Sequence, residues 1–447
     1  MSEDAPVPPP GSRAPDSDGP RPDRAADETS EPYTIGFRTI GLGTIFLTLA
    51  GTLAVGHFIK APCVHGEWSD GRPFTRLCST DIVQLLEPEQ LSGGRLPYLQ
   101  PCQSNGSGPC DEYPVLMMWT LRLTAWASGP DDTQFFYWNA ILLWLAAFWI
   151  TLTLYQLVGS RALYFAAAPT LAIYATFNWD LLPVLLAMAG TLAYLRRRDV
   201  WSGVMLGLGA ATKLFPAMLV LPFVAGRLRD PGSDRGARLA SSAAATWLAV
   251  NLPFAMFAFA GWWEFFRFSG ERPASFDSMW FIACDWASSI GCTDTRLVNV
   301  ASAALFIVGV AVVWITKARR DPGFPRRYLA FPILALFLIT NKVYSPQYSL
   351  WLLPWFALAM PDLRLFLAFE TADVAVFVTE FSWFGTLNGV KGGLAGIVPL
   401  GAFEAAFVVR AVVLLLCVIA WVRRREAVAL PEGSSFGGTL EVGIGRA

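Results

Sequence analysis

Charged residues are scarce in this sequence. Asp, Glu, Lys and Arg make up 15 % of its 447 residues, whereas ordinary soluble domains contain about 25 %. Apolar residues make up 54 %, and many of them occur in long runs. This balance excludes an ordinary soluble domain and predicts an all-α polytopic membrane protein.

The sequence also lacks an excess of positive charge. Its net charge is -1, whereas binding a nucleic-acid backbone requires a dense basic face. Only five of its 34 basic residues are lysines, and the arginines are grouped in short clusters. The composition therefore argues against a nucleic-acid partner, and the grouping is typical of membrane topology.

Large apolar side chains are nearly absent from both ends of the chain. Residues 1–36 are rich in Pro, Asp, Arg and Ser, and residues 426–447 are rich in Gly. Such segments cannot bury enough apolar surface to offset the entropy of ordering. We therefore predict a disordered cytoplasmic tail at each end and a membrane domain over residues 37–425.

Long apolar runs within that domain predict about ten full spans, since a bilayer core needs about 20 helical residues. The predicted spans are residues 37–59, 135–158, 162–177, 181–195, 239–260, 297–316, 328–340, 349–360, 364–381 and 402–422.

Two further apolar segments are too short to span. Residues 115–127 would rise about 20 Å as a helix, which predicts a helix at the membrane interface. Residues 200–226 are interrupted at Lys213-Leu214-Phe215-Pro216. Because Pro216 disfavours helical geometry at Phe215 and suits a helix start, we predict a hairpin of two short helices with Lys213 at its tip.

The arginine clusters fix the predicted orientation. Clusters at 196–198, 227–238, 317–327 and 423–425, together with Arg364, all fall on one side of this arrangement. Basic residues concentrate in cytoplasmic loops. We therefore predict a protein of the inner (plasma) membrane, with both termini cytoplasmic and with outer loops at 60–114, at 261–296 and around Lys391.

Six of the seven cysteines fall in these outer loops, where thiols oxidise. They are Cys63, Cys78, Cys102, Cys110, Cys284 and Cys292. We predict a disulfide between Cys284 and Cys292, whereas the first four allow three pairings. Zinc is the alternative because His65 lies near Cys63. The spacings do not match common zinc patterns, and the sequence has only two histidines.

Three acidic residues fall on the outer side. Asp81 precedes Ile82, Leu85 and Leu86, which are spaced as one face of a helix lying on the membrane. Its carboxylate would either interact with the free backbone amides at the start of this helix or act as a general base. Glu112 would bind a hydroxyl group or tune Asp81, or else pair with Arg95 or Arg122.

Asp180 lies in a short turn between two predicted spans. It would be a cap at the junction or a substrate-binding group that shares the outer face with the other two carboxylates. Three carboxylates on one side of the membrane favour a one-sided active site over a pathway through the protein.

Lys213 and Lys342 both interrupt apolar segments that are too short to span. An ionised lysine at membrane depth costs about 2.5 to 3.5 kcal/mol. We therefore predict that both lie at the floor of an outward-facing cavity and bind a phosphate. The alternatives are pairing with Asp180 or Glu370, and snorkelling to the surface.

Aromatic residues alternate with charge in the second outer loop, at Phe265-Phe266-Arg267-Phe268 and over residues 275–280. Arg267 is therefore a candidate sugar-binding residue. Membrane-interface anchoring is the favoured alternative, since Trp and Tyr are enriched at interfaces.

Six short motifs in order along the chain carry a resemblance to a known family. They are Thr80-Asp81-Ile82, Glu112-Tyr113-Pro114, Asn178-Trp179-Asp180, Ala211-Thr212-Lys213-Leu214-Phe215-Pro216, Asp277-Ser278-Met279-Trp280 and Asn341-Lys342-Val343-Tyr344-Ser345-Pro346-Gln347-Tyr348. Over residues 37–425 the chain resembles the polyprenyl-phosphate-mannose-dependent alpha-mannosyltransferases, which have the GT-C fold.

The resemblance implies inverting transfer of mannose from a polyprenyl-phosphate-sugar to a cell-envelope glycolipid or glycan on the periplasmic side. It implies Asp81 as the base and Glu112, Asp180, Lys213, Arg267, Lys342 and Gln347 as substrate-binding residues. No cofactor is required, although a divalent metal stays open. Asp81 follows Ile59 by 22 residues, farther from the first span than in many relatives.

Two other classes of protein are the alternatives to a glycosyltransferase. A transporter or lipid flippase is expected to contain internal repeats, and this sequence has no convincing repeat. An envelope protein that is held by disulfides and only binds partners would leave the two lysines in apolar segments unexplained.

Overall fold

The computed structural model describes residues 40–66, 68–102, 110–229, 233–287 and 294–425. The predicted tails at 1–36 and 426–447, and Cys292, lie outside these ranges. Within them the regular secondary structure is helical. The predicted all-α class is therefore confirmed for this part of the chain.

Eighteen α-helices and three 3-10 helices occur in the described ranges. Those of the first half are α1 (Leu42–Val64), α2 (Arg72–Thr75), α3 (Asp81–Gln84), α4 (Val115–Ser128), α5 (Asp132–Val158), α6 (Leu163–Ala166), α7 (Pro169–Tyr174), α8 (Leu181–Leu195) and α9 (Asp199–Thr212). Those of the second half are α10 (Phe215–Arg227), α11 (Arg235–Phe257), α12 (Phe259–Glu271), α13 (Met279–Trp286), α14 (Thr295–Arg320), α15 (Ala330–Thr340), α16 (Leu353–Ala359), α17 (Leu363–Leu387) and α18 (Leu400–Arg423). The 3-10 helices are Gly159–Ala162, Arg326–Leu329 and Pro346–Trp351.

Five of the described helical segments are long and apolar enough to cross a membrane. They are Leu42–Val64, Asp132–Ala166, Arg235–Phe257, Thr295–Arg320 and Leu400–Arg423. The second of these runs from α5 through a 3-10 turn into α6. The protein is therefore a multi-pass membrane protein.

Several predicted spans are shorter helices in the structure. Residues 162–177 are divided between α6 and α7, residues 328–340 give the 11-residue α15, and residues 349–360 give the seven-residue α16. Every residue of α16 is buried. These segments are apolar because protein surrounds them, and an apolar sequence alone does not distinguish a protein interior from lipid.

The predicted hairpin over residues 200–226 is confirmed as a pair of short helices. α9 ends at Thr212, Lys213 has extended backbone angles, and α10 begins at Phe215 with Pro216 in its first turn. The 14 residues of α9 span about 21 Å. This length separates Lys213 from the arginine cluster that precedes α9.

The first outer loop begins later than residue 60, because α1 continues to Val64. The Lys60 side chain is fully buried and donates to the Ser79 carbonyl oxygen. The last turn of α1 is also linked covalently to the loop, since Cys63 is bonded to Cys78. These contacts keep the chain helical past the predicted boundary.

The predicted disulfides among the first four cysteines are confirmed. The structure pairs Cys63 with Cys78 and Cys102 with Cys110. Cys284 is also disulfide-bonded, and its predicted partner lies outside the described residues. Because its sulfur is bonded to that of Cys78, Cys63 is not a zinc ligand.

The helix that begins at Asp81 does not lie on the membrane surface as predicted. α3 has only four residues and packs against α5. Ile82 and Leu86 are fully buried in the main hydrophobic core. The apolar spacing after Asp81 therefore reflects burial in the protein.

Candidate active site

A cavity of about 860 Å³ lies where the first outer loop, the hairpin tip, the segment after α12 and the 341–351 segment meet. Its charged lining residues are Asp81, Glu89, Glu112, Lys213, Arg272 and Lys342. Gln347 also lines it. The fold thus brings together five of the seven predicted site residues as cavity lining, from three of these four parts of the chain.

Asp81 is the first residue of α3, and the residue before it is the helix cap. The Thr80 hydroxyl oxygen accepts from the Ile82 N–H at 3.2 Å and donates to the Thr176 carbonyl oxygen at 2.9 Å. The Asp81 N–H donates to the Phe177 carbonyl oxygen at 2.9 Å. Because Thr80 caps the helix, the Asp81 carboxylate is left facing the cavity.

Two amides donate to one oxygen of the Asp81 carboxylate. Asn178 Nδ2 lies 2.9 Å from Oδ2, and Gln347 Nε2 approaches the same atom at 3.4 Å. No described residue hydrogen-bonds Oδ1. Burial raises the pKa of Asp81 to about 6, although the Asn178 bond and the charge of Lys213 act to lower it. A carboxylate with this pKa can accept a proton near neutral pH.

Asn178 connects Asp81 to a buried polar chain. It belongs to the Asn178-Trp179-Asp180 motif but is not among the residues that the sequence predicts for the site. Its Nδ2 also donates to the Tyr113 hydroxyl at 2.9 Å. The next residue, Trp179, donates from its indole nitrogen to Asn139 Oδ1 at 2.6 Å. Asn178 is fully buried, so its amide holds the Asp81 carboxylate in a fixed orientation.

Lys213 is paired with an acid. Its Nζ lies 2.8 Å from both carboxylate oxygens of Asp180, which is fully buried. The Trp351 indole nitrogen donates to Asp180 Oδ1 at 2.6 Å. The alternative of pairing with Asp180 is therefore the arrangement found. Asp180 lies behind the cavity wall and acts on the cavity through Lys213.

Lys342 and Arg272 are cations of a different kind. The Lys342 Nζ donates only to carbonyl oxygens, those of Gly270 at 3.1 Å and Arg272 at 2.6 Å. Neither side chain forms an ion pair with any residue that the structure describes. Burial and the charge of Arg272 lower the pKa of Lys342 to about 8. The two charges therefore remain available to an anion in the cavity.

Glu112 is held by a buried charged cluster. The Glu89 carboxylate accepts from the N–H groups of Asp111 at 2.8 Å and Glu112 at 3.3 Å. Arg95 lies 3.1 Å from Glu89 and 2.8 Å from Asp111. Arg95 thus pairs with these two acids and not with Glu112. Burial raises the pKa of Glu112 to about 7, and Arg272 opposes this rise.

Arg267 does not line the cavity. It lies on α12 and pairs with Glu264 at 2.6 Å and Glu271 at 2.9 Å, with about half of its side chain exposed. Arg272, just after the end of the same helix, takes the position that had been expected for Arg267. Aromatic residues flank Arg267 but not Arg272, so the aromatic pattern does not indicate Arg272.

The site can therefore remove a proton and stabilise an anion in one space. Asp81 supplies a base with an oxygen that no described residue hydrogen-bonds, and Lys342 and Arg272 supply positive charge in the same cavity. Such a pair of functions suits displacement of an anionic leaving group by a hydroxyl nucleophile.

Two comparisons with solved structures give matches. The chain is similar to ArnT from Cupriavidus metallidurans bound to undecaprenyl phosphate, with 15 % identity, a TM-score of 0.42, and 86 % of this chain and 77 % of that chain covered. For ArnT from the same organism in the apo state the identity is 15 % and the TM-score 0.41, with 85 % and 76 % covered.

No curated protein matches the chain. The family model of glycosyltransferase family 87 matches residues 112–346, which is more than half of the sequence. The matched region includes Glu112, Lys213 and Lys342, whereas Asp81 precedes it. The chain belongs to glycosyltransferase family 87.

Proposed function

We propose that this membrane glycosyltransferase transfers a sugar, mannose, from a polyprenyl-phosphate-sugar to a hydroxyl group of a cell-envelope glycolipid or glycan. The reaction takes place on the periplasmic side and inverts the anomeric centre. The proposal depends chiefly on one observation, that Asp81 faces the same cavity as Lys342 and Arg272, whose charges no described acid pairs with. The GT-C fold implied by the resemblance is part of this proposal.

Asp81 begins the reaction. An acceptor hydroxyl hydrogen-bonds to the free Oδ1, and Asp81 takes its proton as the hydroxyl oxygen attacks the anomeric carbon. The bond between that carbon and the phosphate oxygen breaks in the same step. Because a single displacement needs no enzyme nucleophile, the anomeric configuration inverts.

Lys342 and Arg272 stabilise the departing polyprenyl phosphate. Its negative charge increases as the bond to the sugar breaks, so fixed cations favour the transition state more than the substrate. Arg272 has the planar guanidinium that matches phosphate oxygens in pairs. Lys342 is anchored by two carbonyl oxygens and adds charge beside it.

The remaining cavity residues position these groups. Lys213 is paired with Asp180, so its role is to hold that wall of the site. Gln347 and Asn178 orient the Asp81 carboxylate. Glu112 binds a hydroxyl of the sugar or of the acceptor, since its carboxyl group lines the cavity.

Labelled polyprenyl-phosphate-mannose supplied to the purified protein in lipid nanodiscs, with an extract of envelope glycolipids as acceptor, tests the proposal. Replacing Asp81 by Asn keeps the size of the side chain and removes the base. We expect sugar transfer to fall by about 10² to 10⁴-fold. Asp285→Asn is the matched control, because Asp285 is an exposed carboxylate of the second outer loop, and its rate should equal that of the unchanged protein.

Arg272→Met and Lys342→Met test the phosphate site. We expect each to reduce transfer while leaving the acid limb of the pH profile in place, since Asp81 is unchanged. Full transfer by Asp81→Asn would remove Asp81 as the base. Transbilayer movement of the lipid-linked sugar in vesicles without any transfer would contradict a transferase of this kind and favour a flippase.

A further inference from the structure

A second cavity lies at the other end of α9, far from the site described above. It has a volume of about 360 Å³ and is lined by Arg197, Arg198, Asp199, Val200, Trp201, Arg235 and Arg238. α9 begins at Asp199 and ends one residue before Lys213, so about 21 Å of helix separates the two cavities. The positive-inside rule predicts that this second face is cytoplasmic.

The lining of this second cavity is mainly basic, although one of its arginines, Arg238, pairs with Asp234 outside the lining at 2.5 Å. Four of its seven lining residues are arginines, and the acid among them is Asp199. Asp199 is buried and already accepts from Arg227 at 2.6 Å and from Arg235 at 2.7 Å. Its negative charge is therefore neutralised inside the protein and does not offset the other arginines.

Backbone geometry and one hydrogen bond hold two of the cavity arginines, Arg197 and Arg235, in place. Arg197 has a left-handed backbone with φ of 59°, which is uncommon for a residue other than glycine. The Arg235 guanidinium donates to the Arg197 carbonyl oxygen at 2.9 Å. This contact ties the turn before α9 to the first turn of α11. The Arg198 side chain is exposed and makes no hydrogen bond or ion pair with the described residues.

The edge of the cavity is apolar on one side. Val200 and Trp201 are exposed by 47 % and 58 %, and they immediately follow the arginines in sequence. An arginine cluster beside an exposed Trp suits the level where lipid headgroups meet acyl chains. The volume is roughly twelve times the share of one liquid water, about 30 Å³, so a glycerophosphate group fits.

We propose that this cavity binds the phosphate headgroup of an anionic phospholipid from the cytoplasmic leaflet. Arg198 contacts the phosphate oxygens, and Arg238 exchanges its exposed pair with Asp234 for them, since a surface ion pair contributes at most about 1 kcal/mol. Val200 and Trp201 lie along the acyl chains. Basic pockets between membrane helices recognise such headgroups. The positive-inside pattern alone would give scattered exposed arginines, whereas these four surround one cavity whose acid is neutralised internally.

Native mass spectrometry of the full chain in detergent micelles tests this site, with phosphatidylglycerol or phosphatidylcholine added. The double variant Arg198→Gln, Arg238→Gln removes two cavity charges, and Arg319→Gln, Arg320→Gln removes two exposed charges at the end of α14. We expect the unchanged protein and the α14 variant to bind phosphatidylglycerol in preference to phosphatidylcholine. Each lost charge should weaken phosphatidylglycerol binding about fivefold, and the cavity variant about 30-fold.

Equal binding by the cavity variant and the unchanged protein would overturn the proposal. Equal weakening by both variants would also overturn it, because the effect would then be general charge attraction. Displacement of phosphatidylglycerol by millimolar inorganic phosphate alone would assign the site to a free anion and not to a lipid. Arg198→Gln by itself breaks no contact with a described residue, so its fivefold effect keeps the test valid if the double variant folds poorly.

Discussion

A single amide group sets the environment of the proposed base. The Asn178 side chain donates from Nδ2 to Asp81 and to Tyr113. Its side-chain oxygen Oδ1 accepts from the backbone N–H of Trp179 at 2.7 Å. The amide cannot turn over without breaking these bonds. The Asp81 carboxylate is therefore held with Oδ2 occupied and with Oδ1 free of hydrogen bonds to the described residues.

The first prediction concerns the pH dependence of transfer. The pKa of Asp81 is raised to about 6, and a general base acts only when deprotonated, so kcat/KM should rise as pH increases through about 6. Asn178→Ala removes a donor that favours the charged form. We expect the acid limb of the pH profile of this variant to shift to higher pH, as measured by kcat/KM between about pH 5 and 8.

Asn388→Ala is the control, because Asn388 carries an exposed amide in the third predicted outer loop. It should leave the acid limb of the pH profile unchanged. Glu112→Gln distinguishes the titration of Asp81 from that of Glu112, because burial raises the pKa of Glu112 to about 7. The limb near pH 6 should survive in that variant. A lower rate in Asn178→Ala with an unshifted limb would mean that Asn178 is only structural.

The second prediction concerns the buried pair of Lys213 and Asp180. Asp180→Asn leaves the lysine charge buried without a partner, which costs about 3 to 5 kcal/mol in the free energy of unfolding. Removing both charges in Asp180→Asn, Lys213→Met should recover most of that loss. Denaturant titration in detergent micelles measures both.

Asp234→Asn is the matched control, since Asp234 pairs with Arg238 at the exposed surface, and it should cause no measurable loss of stability. Failure of the double variant to recover stability would show that the pair is needed for packing beyond its charges. The transfer kinetics of the double variant also test whether Lys213 binds the donor phosphate. If it does, replacing Lys213 should raise KM strongly; if it only holds the cavity wall, KM should change little.

Part of the site could be predicted from residue chemistry. Asp81, Lys213 and Lys342 are identifiable because ionisable groups are rare in apolar surroundings. The sequence predicts Arg267 as a substrate-binding residue, with membrane anchoring as the favoured alternative, and the structure places it outside the cavity lining. Glu264 and Glu271 lie three residues before it and four after it, the spacing of helical ion pairs. Arg272 carries no such pattern, and only the folded chain brings it to the cavity.

At the scale of elements, α9 depends on two glycines spaced four residues apart. A Cβ on Gly207 would lie 2.5 Å from the Ala243 carbonyl oxygen of α11, and one on Gly203 would meet the Leu239 carbonyl oxygen. Small residues at this spacing let membrane helices approach closely. The signal is readable in the sequence and explains how α9 is held with Lys213 at its end.

The third prediction follows from that contact. Gly207→Ala must push α9 away from α11, which we expect to cost about 1 to 3 kcal/mol and to reduce transfer, since Lys213 and the cavity wall move with α9. Gly51→Ala in α1 is the control, because its Cβ would meet nothing within 4 Å. Thermal unfolding in detergent and the transfer assay measure both. An unchanged melting temperature in Gly207→Ala would refute the close contact.

The elements differ in how far sequence could predict them. The hairpin of α9 and α10 was predictable because Pro216 marks the break. The lengths of α15 and α16 were not, because all of the residues of α16 and most of those of α15 are buried in the protein. The end of α1 was misplaced because contacts far along the chain, at Ser79 and Cys78, stabilise its last turn.

At the scale of the whole molecule, two kinds of chemistry lie at opposite ends of α9. The cavity with Asp81 adjoins the segments that carry the disulfides Cys63–Cys78 and Cys102–Cys110. The arginine cavity lies at the other end. Disulfides form in oxidising compartments, and arginine clusters remain cytoplasmic. Both observations independently favour a cavity with Asp81 that faces outward.

The fourth prediction tests that orientation directly. Asn388 in the third outer loop and Arg320 at the end of α14 are both exposed and lie on opposite predicted sides. In intact cells a membrane-impermeant maleimide should label Asn388→Cys and spare Arg320→Cys, and both should react after the membrane is opened. The unchanged protein gives the background, which should be low because the unpaired Cys417 is fully buried. Labelling of Arg320→Cys alone in intact cells would invert the topology, place the Asp81 cavity in the cytoplasm and contradict transfer on the periplasmic side.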